Sequence, residues 1–182
     1  LAETAPPADS RGDGRLLLAR VDKLLELAAL EEAGALIAAA GRGSGAPAAE
    51  LFRRRFDVAM LMGTEDAACA EMRAAPNLAP TFPARIFCLA RAGDWNAAAL
   101  TLRTAQALGH IGPAEDAILS RFLDPDLYEG EMPPDLPSPM TPLLWRMLEA
   151  IGEGVPVGSL PLAFAHADLR DTAGWRSQLE AA

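Results

Sequence analysis

The chain has 182 residues, of which 51% are hydrophobic and 23% are charged, and its formal net charge is −9 at pH 7. This length and composition suit one domain with a hydrophobic core and exclude a wholly disordered chain. The acidic balance argues against a nucleic-acid partner, because phosphate backbones attract basic surfaces. No apolar run approaches about 20 residues, the length that crosses a bilayer, so we expect no membrane span in this sequence.

Residues 1–14 are rich in proline, glycine and polar side chains, so we expect a flexible N-terminal segment. The segment begins with small residues and an acid, followed by Pro6-Pro7. This pattern is typical of the sequence after a secretory cleavage site, and it fits an interdomain linker equally well. The chain does not begin with Met, and residues 171–182 predict a helix without a stop signal. We therefore expect the chain to be part of a longer protein.

Helical periodicity runs from Arg15 onward, and strand signals are nearly absent. The predicted fold is all-α, a single helical domain over 15–182 with about nine to eleven helices in antiparallel hairpins. It divides into repeat-like hairpins over 15–123, an acidic proline-rich loop over 124–140 and C-terminal helices over 141–182. The predicted helices are 17–28 and 30–40 with a tight turn between them, 48–62, one that begins after Thr64, 81–92, 95–108, 114–123, 142–151, 160–167 and one that begins at Asp171 or Thr172.

Three consecutive arginines, Arg53, Arg54 and Arg55, lie inside the helix predicted over 48–62. Consecutive residues point in different directions around a helix, so the three do not form a concentrated basic patch. We expect them to cover a solvated face.

The predicted hairpin turns recur near Ala29, at Gly63-Thr64 and at Gly93-Asp94, at intervals of 34 and 30 residues. Such periods are typical of stacked helix pairs. In the third unit the pattern resembles the tetratricopeptide (TPR) repeat, and its residues are Ile86, Leu89, Gly93, Asp94, Trp95, Ala98, Leu102 and Ala105. The TPR-like resemblance extends over roughly 16–123, but Gly109-His110 replaces the usual proline after the second helix, and the first unit lacks a turn glycine.

The TPR-like resemblance implies a short α-solenoid with a groove for a peptide or protein, and it transfers no catalytic residue. It also implies that the second helix packs closely on the first through alanines. We therefore expect Trp95, Ala98 and Ala105 to be core positions, with Trp95 largely buried.

The sequence contains no recognisable nucleophile, zinc-protease or phosphate-loop motif. His110 follows Gly109 at a predicted helix end, where it faces the carbonyl dipole. His166 and Asp168 are two residues apart and so point about 200° apart on a helix. We therefore predict no catalytic residue, no cofactor and no metal site.

The segment 124–140 contains five prolines, five acids and no basic residue. It is not an EF-hand calcium loop, because Glu129 stands where the tight turn needs glycine. We interpret it as an interaction loop that either docks a partner or fills the groove. Its candidate residues are Asp124, Asp126, Tyr128, Glu129, Glu131 and Asp135.

The two cysteines, Cys69 and Cys88, lie at equal distances from a loop centred near Leu78 and Ala79. Equal distances place residues at the same height on antiparallel helices, so we predict a disulfide between them. The alternative is a pair of buried free thiols, which a reducing cytosol favours.

Two hypotheses for function follow from these features. In the first, the chain is a non-catalytic protein- or peptide-binding scaffold of the bacterial cell envelope, periplasmic if the disulfide forms and cytoplasmic otherwise. In the second, it is the helical region of an envelope hydrolase whose active site lies partly outside this sequence. A cleft lined by several polar groups with shifted pKa values would favour the enzyme, and a groove lined by apolar and Asn or Arg side chains would favour the scaffold.

Overall fold

The structure, a computed structural model, describes residues 14–40 and 46–171. These residues form nine α-helices and no β-strand, which confirms the predicted all-α class. The segment expected to be flexible over 1–13 and the last predicted helix, beyond Asp171, lie outside the described residues. The helices are α1 (Arg15–Glu26), α2 (Leu30–Ala40), α3 (Ala48–Met62), α4 (Glu65–Ala74), α5 (Phe82–Arg91), α6 (Trp95–Ala107), α7 (Pro113–Leu123), α8 (Pro142–Ala150) and α9 (Leu162–Asp171), with 3-10 turns at Pro76–Leu78, Pro125–Tyr128 and Val157–Ser159.

Most helix boundaries lie where capping residues predict them. Gly63 ends α3 in the left-handed conformation, with φ of 68°. Asp94 caps α6 because its Oδ1 accepts a hydrogen bond from the N–H of Ala97 at 3.1 Å. Thr141 caps α8 in the same way.

The predicted start of α9 is wrong. Ser159 does not cap a helix at Leu160, because residues 157–159 form a 3-10 turn and the chain is extended at Leu160. Pro161 follows, and α9 begins after it, at Leu162, where the N–H of Phe164 donates to the carbonyl of Pro161.

The chain forms two compact units, a division that the sequence does not predict. Unit 1 contains α1, α2, α3 and α9, and unit 2 contains α4 to α8. No helix within the described part of the chain combines the length and the apolar character that a membrane crossing needs.

The core of unit 1 is built by the helical hairpin α1–α2 packing on α3. The hairpin turns at Ala28, which adopts a φ of 58°, near the predicted position. Val21 and Ala33 are completely buried, and Ile37 and Val58 pack with them. Four further apolar residues of α3 are buried as well: Phe52, Phe56, Ala59 and Met60.

Arg54 corrects the prediction that all three arginines face solvent. It is buried, and its guanidinium binds both carboxylate oxygens of Asp22 in α1, at 2.7 and 2.8 Å. It also donates to Glu50 Oε2 at 2.9 Å, one turn earlier in α3. The hydrogen bond that Arg54 donates to Asp22 is the main cause that raises the pKa of Arg54, and the one that Arg54 donates to Glu50 is the main cause that lowers the pKa of Glu50. This ion-pair cluster fixes α1 against α3.

Asp57 lies in α3, near the same cluster, and is mostly buried. Burial raises the pKa of its carboxyl from 3.8 to about 6, although the positive charges of Arg53 and Arg54 oppose the shift. Its ionisation at neutral pH therefore costs stability in unit 1.

In unit 2, α5 is the central helix and contacts α4, α6, α7 and α8. Its partner α6 approaches closely, because Ala98 and Ala105 are fully buried as expected. The prediction for Trp95 is wrong, since 51% of this residue is exposed. Trp95 is the first residue of α6, and its ring lies 6.5 Å from that of Phe122 in α7.

Replacing Arg54 tests the ion-pair cluster. We expect Arg54→Met to lower the free energy of unfolding by about 1–3 kcal/mol, because Asp22 and Glu50 lose their cation but are half-exposed and regain water. Arg53→Met is the matched control: its side chain is 49% exposed, so we expect a change below about 0.5 kcal/mol. Urea unfolding at pH 7 measures both, and equal losses in the two variants would contradict the assignment.

Replacing Asp57 tests the effect of burial on its pKa. Because folding raises the pKa of Asp57, the protonated carboxyl makes its full contribution to the free energy of unfolding below pH 4. This contribution is lost as the pH rises through about 6. We therefore expect Asp57→Asn to be more stable than the natural chain at pH 8, by up to about 3 kcal/mol, and nearly equal to it at pH 4. Denaturant unfolding of both proteins across this range measures the difference, and a pH-independent difference would contradict it.

Candidate functional site

A surface cavity of about 270 Å³ lies among α4, α5, α7 and α8 of unit 2. We call it the aromatic groove, and its lining residues are Glu65, Phe87, Arg91, Phe122, Arg146, Glu149 and Ala150. These residues come from four helices, so the groove exists only when unit 2 is folded.

Three aromatic rings lie in sequence at this groove: Phe87 and Phe122 line it, and Trp95 lies next to Phe122 outside the lining. Phe87 of α5 is buried and stacks on Phe122 of α7, with ring centroids 5.6 Å apart. Trp95 lies beyond Phe122, and half of it faces solvent. The row therefore continues from the core to the surface and leaves an aromatic side chain exposed beside the groove.

The charged side chains of the groove are paired with one another. Arg91 binds Asp66 Oδ1 at 2.6 Å and Glu65 Oε1 at 3.4 Å, and the hydrogen bond that it donates to Asp66 is the main cause that raises the pKa of Arg91. Arg146 donates to Glu149 Oε2 at 2.8 Å. The lining therefore carries two guanidinium groups and two carboxylates. The second oxygen of Glu65, Oε2, is buried without a hydrogen-bond partner.

The predicted disulfide joins Cys69 of α4 to Cys88 of α5, with Cα atoms 5.1 Å apart. Cys69 lies one turn after Glu65, and Cys88 lies one turn before Arg91. The covalent link therefore holds together the two helices that bring Glu65 and Arg91 into contact at one side of the groove.

A second cavity, of about 330 Å³, lies between the acidic loop and the end of α8. We call it the acidic cavity. Of the six candidate residues of the interaction loop, Asp126, Tyr128, Glu129 and Glu131 line it, and Asp124 and Asp135 do not. The other lining residues are Arg121, Pro125, Gly130, Ile151 and Glu153.

Arg121 of α7 holds the acidic loop in place, and the sequence analysis missed it. Its guanidinium lies 4.7 Å from the centre of the Tyr128 ring and binds Glu131 Oε2 at 3.2 Å. It also donates to the carbonyl oxygen of Met132. Its position in the sequence could have identified it, because Arg121 is the last basic residue before a segment with five acids and no basic residue.

The aromatic groove and the acidic cavity are lined in part by the same two helices. Arg121 and Phe122 are consecutive in α7, and one faces each cavity. At the end of α8, Ala150 lines the groove and Ile151 lines the acidic cavity. The two cavities therefore share α7 and α8 and are lined by different faces of α7.

The two histidines line neither cavity. His110 is exposed and stacks on Phe82, with ring centroids 5.3 Å apart. His166 lies in unit 1, where its Nδ1 is buried without a hydrogen-bond partner. In the parts of the chain described, no three His, Cys, Asp or Glu side chains come together as a possible metal site.

Comparisons with known protein families, with curated proteins and with solved structures give no match for this chain.

Removing the disulfide tests its contribution to unit 2. The bridge closes a loop between residues 19 apart, so we expect Cys69→Ala with Cys88→Ala to lower the free energy of unfolding by about 3 kcal/mol. Denaturant unfolding measures the loss. A dithiol reductant should destabilise the natural chain and leave the double variant unchanged. Two reactive thiols in the denatured, unreduced natural protein would contradict the bridge.

Proposed function

We infer that this chain is a non-catalytic scaffold that binds a peptide segment of another protein in the aromatic groove of unit 2. The observation that carries this proposal is the row Phe87–Phe122–Trp95, which ends in a half-exposed indole beside an open cavity. Tryptophan and arginine dominate the energy of protein interfaces, and this groove has one Trp and two Arg within or beside it.

The size of the groove supports a side chain as its occupant. Sites for small molecules and cofactors have volumes of about 300–1,000 Å³ and enclose most of the ligand. At about 270 Å³, the groove is below this range, and it suits one or two side chains of a longer peptide.

The resemblance of residues 86–105 to a TPR unit supports the same proposal, since TPR-like helix pairs stacked as a short solenoid present peptide-binding grooves. The buried disulfide supports a location in the bacterial periplasm, because disulfides persist in oxidising compartments. The rival location is the cytoplasm, where the two cysteines would remain thiols.

Selection of peptides from a random displayed library on the immobilised protein tests the proposed function. We expect selected peptides to lose about tenfold or more in affinity on Trp95→Ala, the loss typical of an aromatic hot spot, and to keep most of it on Trp95→Phe. Both variants should keep their stability, because Trp95 is half-exposed.

Leu108→Ala is the matched control. Leu108 is 59% exposed and lies at the other end of α6, about 20 Å from Trp95 along the helix. We expect it to leave peptide binding unchanged. Failure to select any peptide, or selected peptides that bind the Trp95→Ala variant as tightly as the natural chain, would contradict the proposal.

A further inference from the structure

We propose that residues 132–137 of the acidic loop form a polyproline II helix that binds in the aromatic-lined groove of a domain of another protein. We call these residues the polyproline segment, and their sequence is Met132-Pro133-Pro134-Asp135-Leu136-Pro137. The segment is a binding surface in addition to the aromatic groove of unit 2, and here this chain supplies the ligand rather than the groove.

The covalent structure of the polyproline segment restricts its backbone. Half of its residues are prolines, whose rings fix φ at about −65°. A following proline also disfavours the α conformation in Met132 and Leu136 and favours an extended or polyproline II backbone there. Asp135 is the only residue of the segment under neither restriction. The sequence therefore favours polyproline II before any tertiary contact forms.

The backbone of the structure has the features that this conformation requires. The chain bends at Glu131 and again at Ser138, and it runs between them without a turn or a bend. Among the backbone–backbone hydrogen bonds that join described residues, none involves 132–137. A polyproline II helix has no internal hydrogen bonds, so it leaves its carbonyl groups to donors outside the segment.

The exposure of the side chains follows the three-residue period of polyproline II, in which residues three apart lie on one edge. Pro134 is buried and Pro137 is half-buried, so the protein covers the edge that they form. The four residues of the other two edges are exposed: Pro133 with Leu136, and Met132 with Asp135. A β-strand, with its period of two, would cover Met132 and Leu136 together with Pro134, which their exposure contradicts.

Contacts with two helices hold the polyproline segment at both ends. Before it, Arg121 of α7 binds Glu131 Oε2 and the carbonyl oxygen of Met132, each at 3.2 Å. After it, Thr141 caps α8. A partner therefore meets a segment that is already ordered, and binding costs less conformational entropy than it would with a free peptide.

The open edges indicate the chemistry of the partner. Met132 is 84% exposed and Leu136 is 50% exposed, so two large apolar side chains are available beside the prolines. Polyproline II segments bind in grooves lined by aromatic side chains. No basic residue lies between Arg121 and Arg146, and Asp135 is on an open edge, so basic residues at the rim of such a groove are complementary in charge.

An array of purified SH3, WW and EVH1 domains, which have aromatic-lined grooves, tests this inference. Biolayer interferometry measures the affinity of each domain for the natural chain and for a synthetic peptide of residues 131–138. We expect at least one domain to bind the natural chain at micromolar concentration. We expect the peptide to bind that domain at least about threefold more weakly, because it loses more conformational entropy.

Exposed leucines inside and outside the polyproline segment provide matched variants. We expect Leu136→Ala to weaken binding of the domain about tenfold, the loss typical of an interface anchor. Leu127→Ala is the control, because Leu127 is 68% exposed in the same loop but lies before the segment, and its effect should be less than about twofold. Trp95→Ala, in the aromatic groove, should leave binding of the domain unchanged.

Four outcomes would overturn the inference. They are binding of no domain at millimolar concentration, binding of the peptide but not of the natural chain, and equal effects of Leu136→Ala and Leu127→Ala. The fourth is self-association of the natural chain at micromolar concentration that both Leu136→Ala and Trp95→Ala abolish, since the occupant would then be a second copy of this chain. The library selection on the aromatic groove is a separate measurement, and its failure contradicts the proposed function alone.

Discussion

The close approach of helices around α5 is the constraint on which unit 2 depends. On one side, the disulfide brings the Cα atoms of Cys69 and Cys88 to 5.1 Å, and on the other, fully buried alanines bring α6 against α5. Both contacts require small side chains, because a larger one would separate helix axes that ordinarily lie about 8–10 Å apart. Phe87 of α5 stacks on Phe122 of α7, and both rings line the aromatic groove.

The sequence predicts the helices well because their ends are local. Gly63, Asp94 and Thr141 act within one turn of their own helix, so their effect is readable without the fold. Which of the three arginines is buried depends on a contact distant in the sequence. Arg53, Arg54 and Arg55 are equivalent in the sequence, and the choice among them depends on Asp22, 32 residues earlier than Arg54. The exposure of Trp95 is not local either: Ala98 and Ala105 in the same pattern are fully buried, whereas 51% of Trp95 is exposed.

The candidate site was predictable only where its features are local in the sequence. The acidic loop is visible as a compositional change within one segment, and four of its six candidate residues line one cavity. The aromatic groove is assembled from four helices between Glu65 and Ala150, so no short motif describes it. Arg121 connects the local loop to the helices. It belongs to α7, but its partners Tyr128, Glu131 and Met132 belong to the loop. Arg121 therefore fixes the loop at one of its acids, Glu131, at one ring, Tyr128, and at the carbonyl of Met132.

The aromatic groove has a charge-balanced lining, whereas the acidic cavity carries excess negative charge. Apolar contact and charge contribute differently to the recognition of a partner. Apolar contact supplies affinity but discriminates poorly among large side chains, since one methylene is worth only about 0.8 kcal/mol. Charge in an exposed cavity contributes less affinity but changes sign between acidic and basic partners, so it separates them even when their apolar residues are the same.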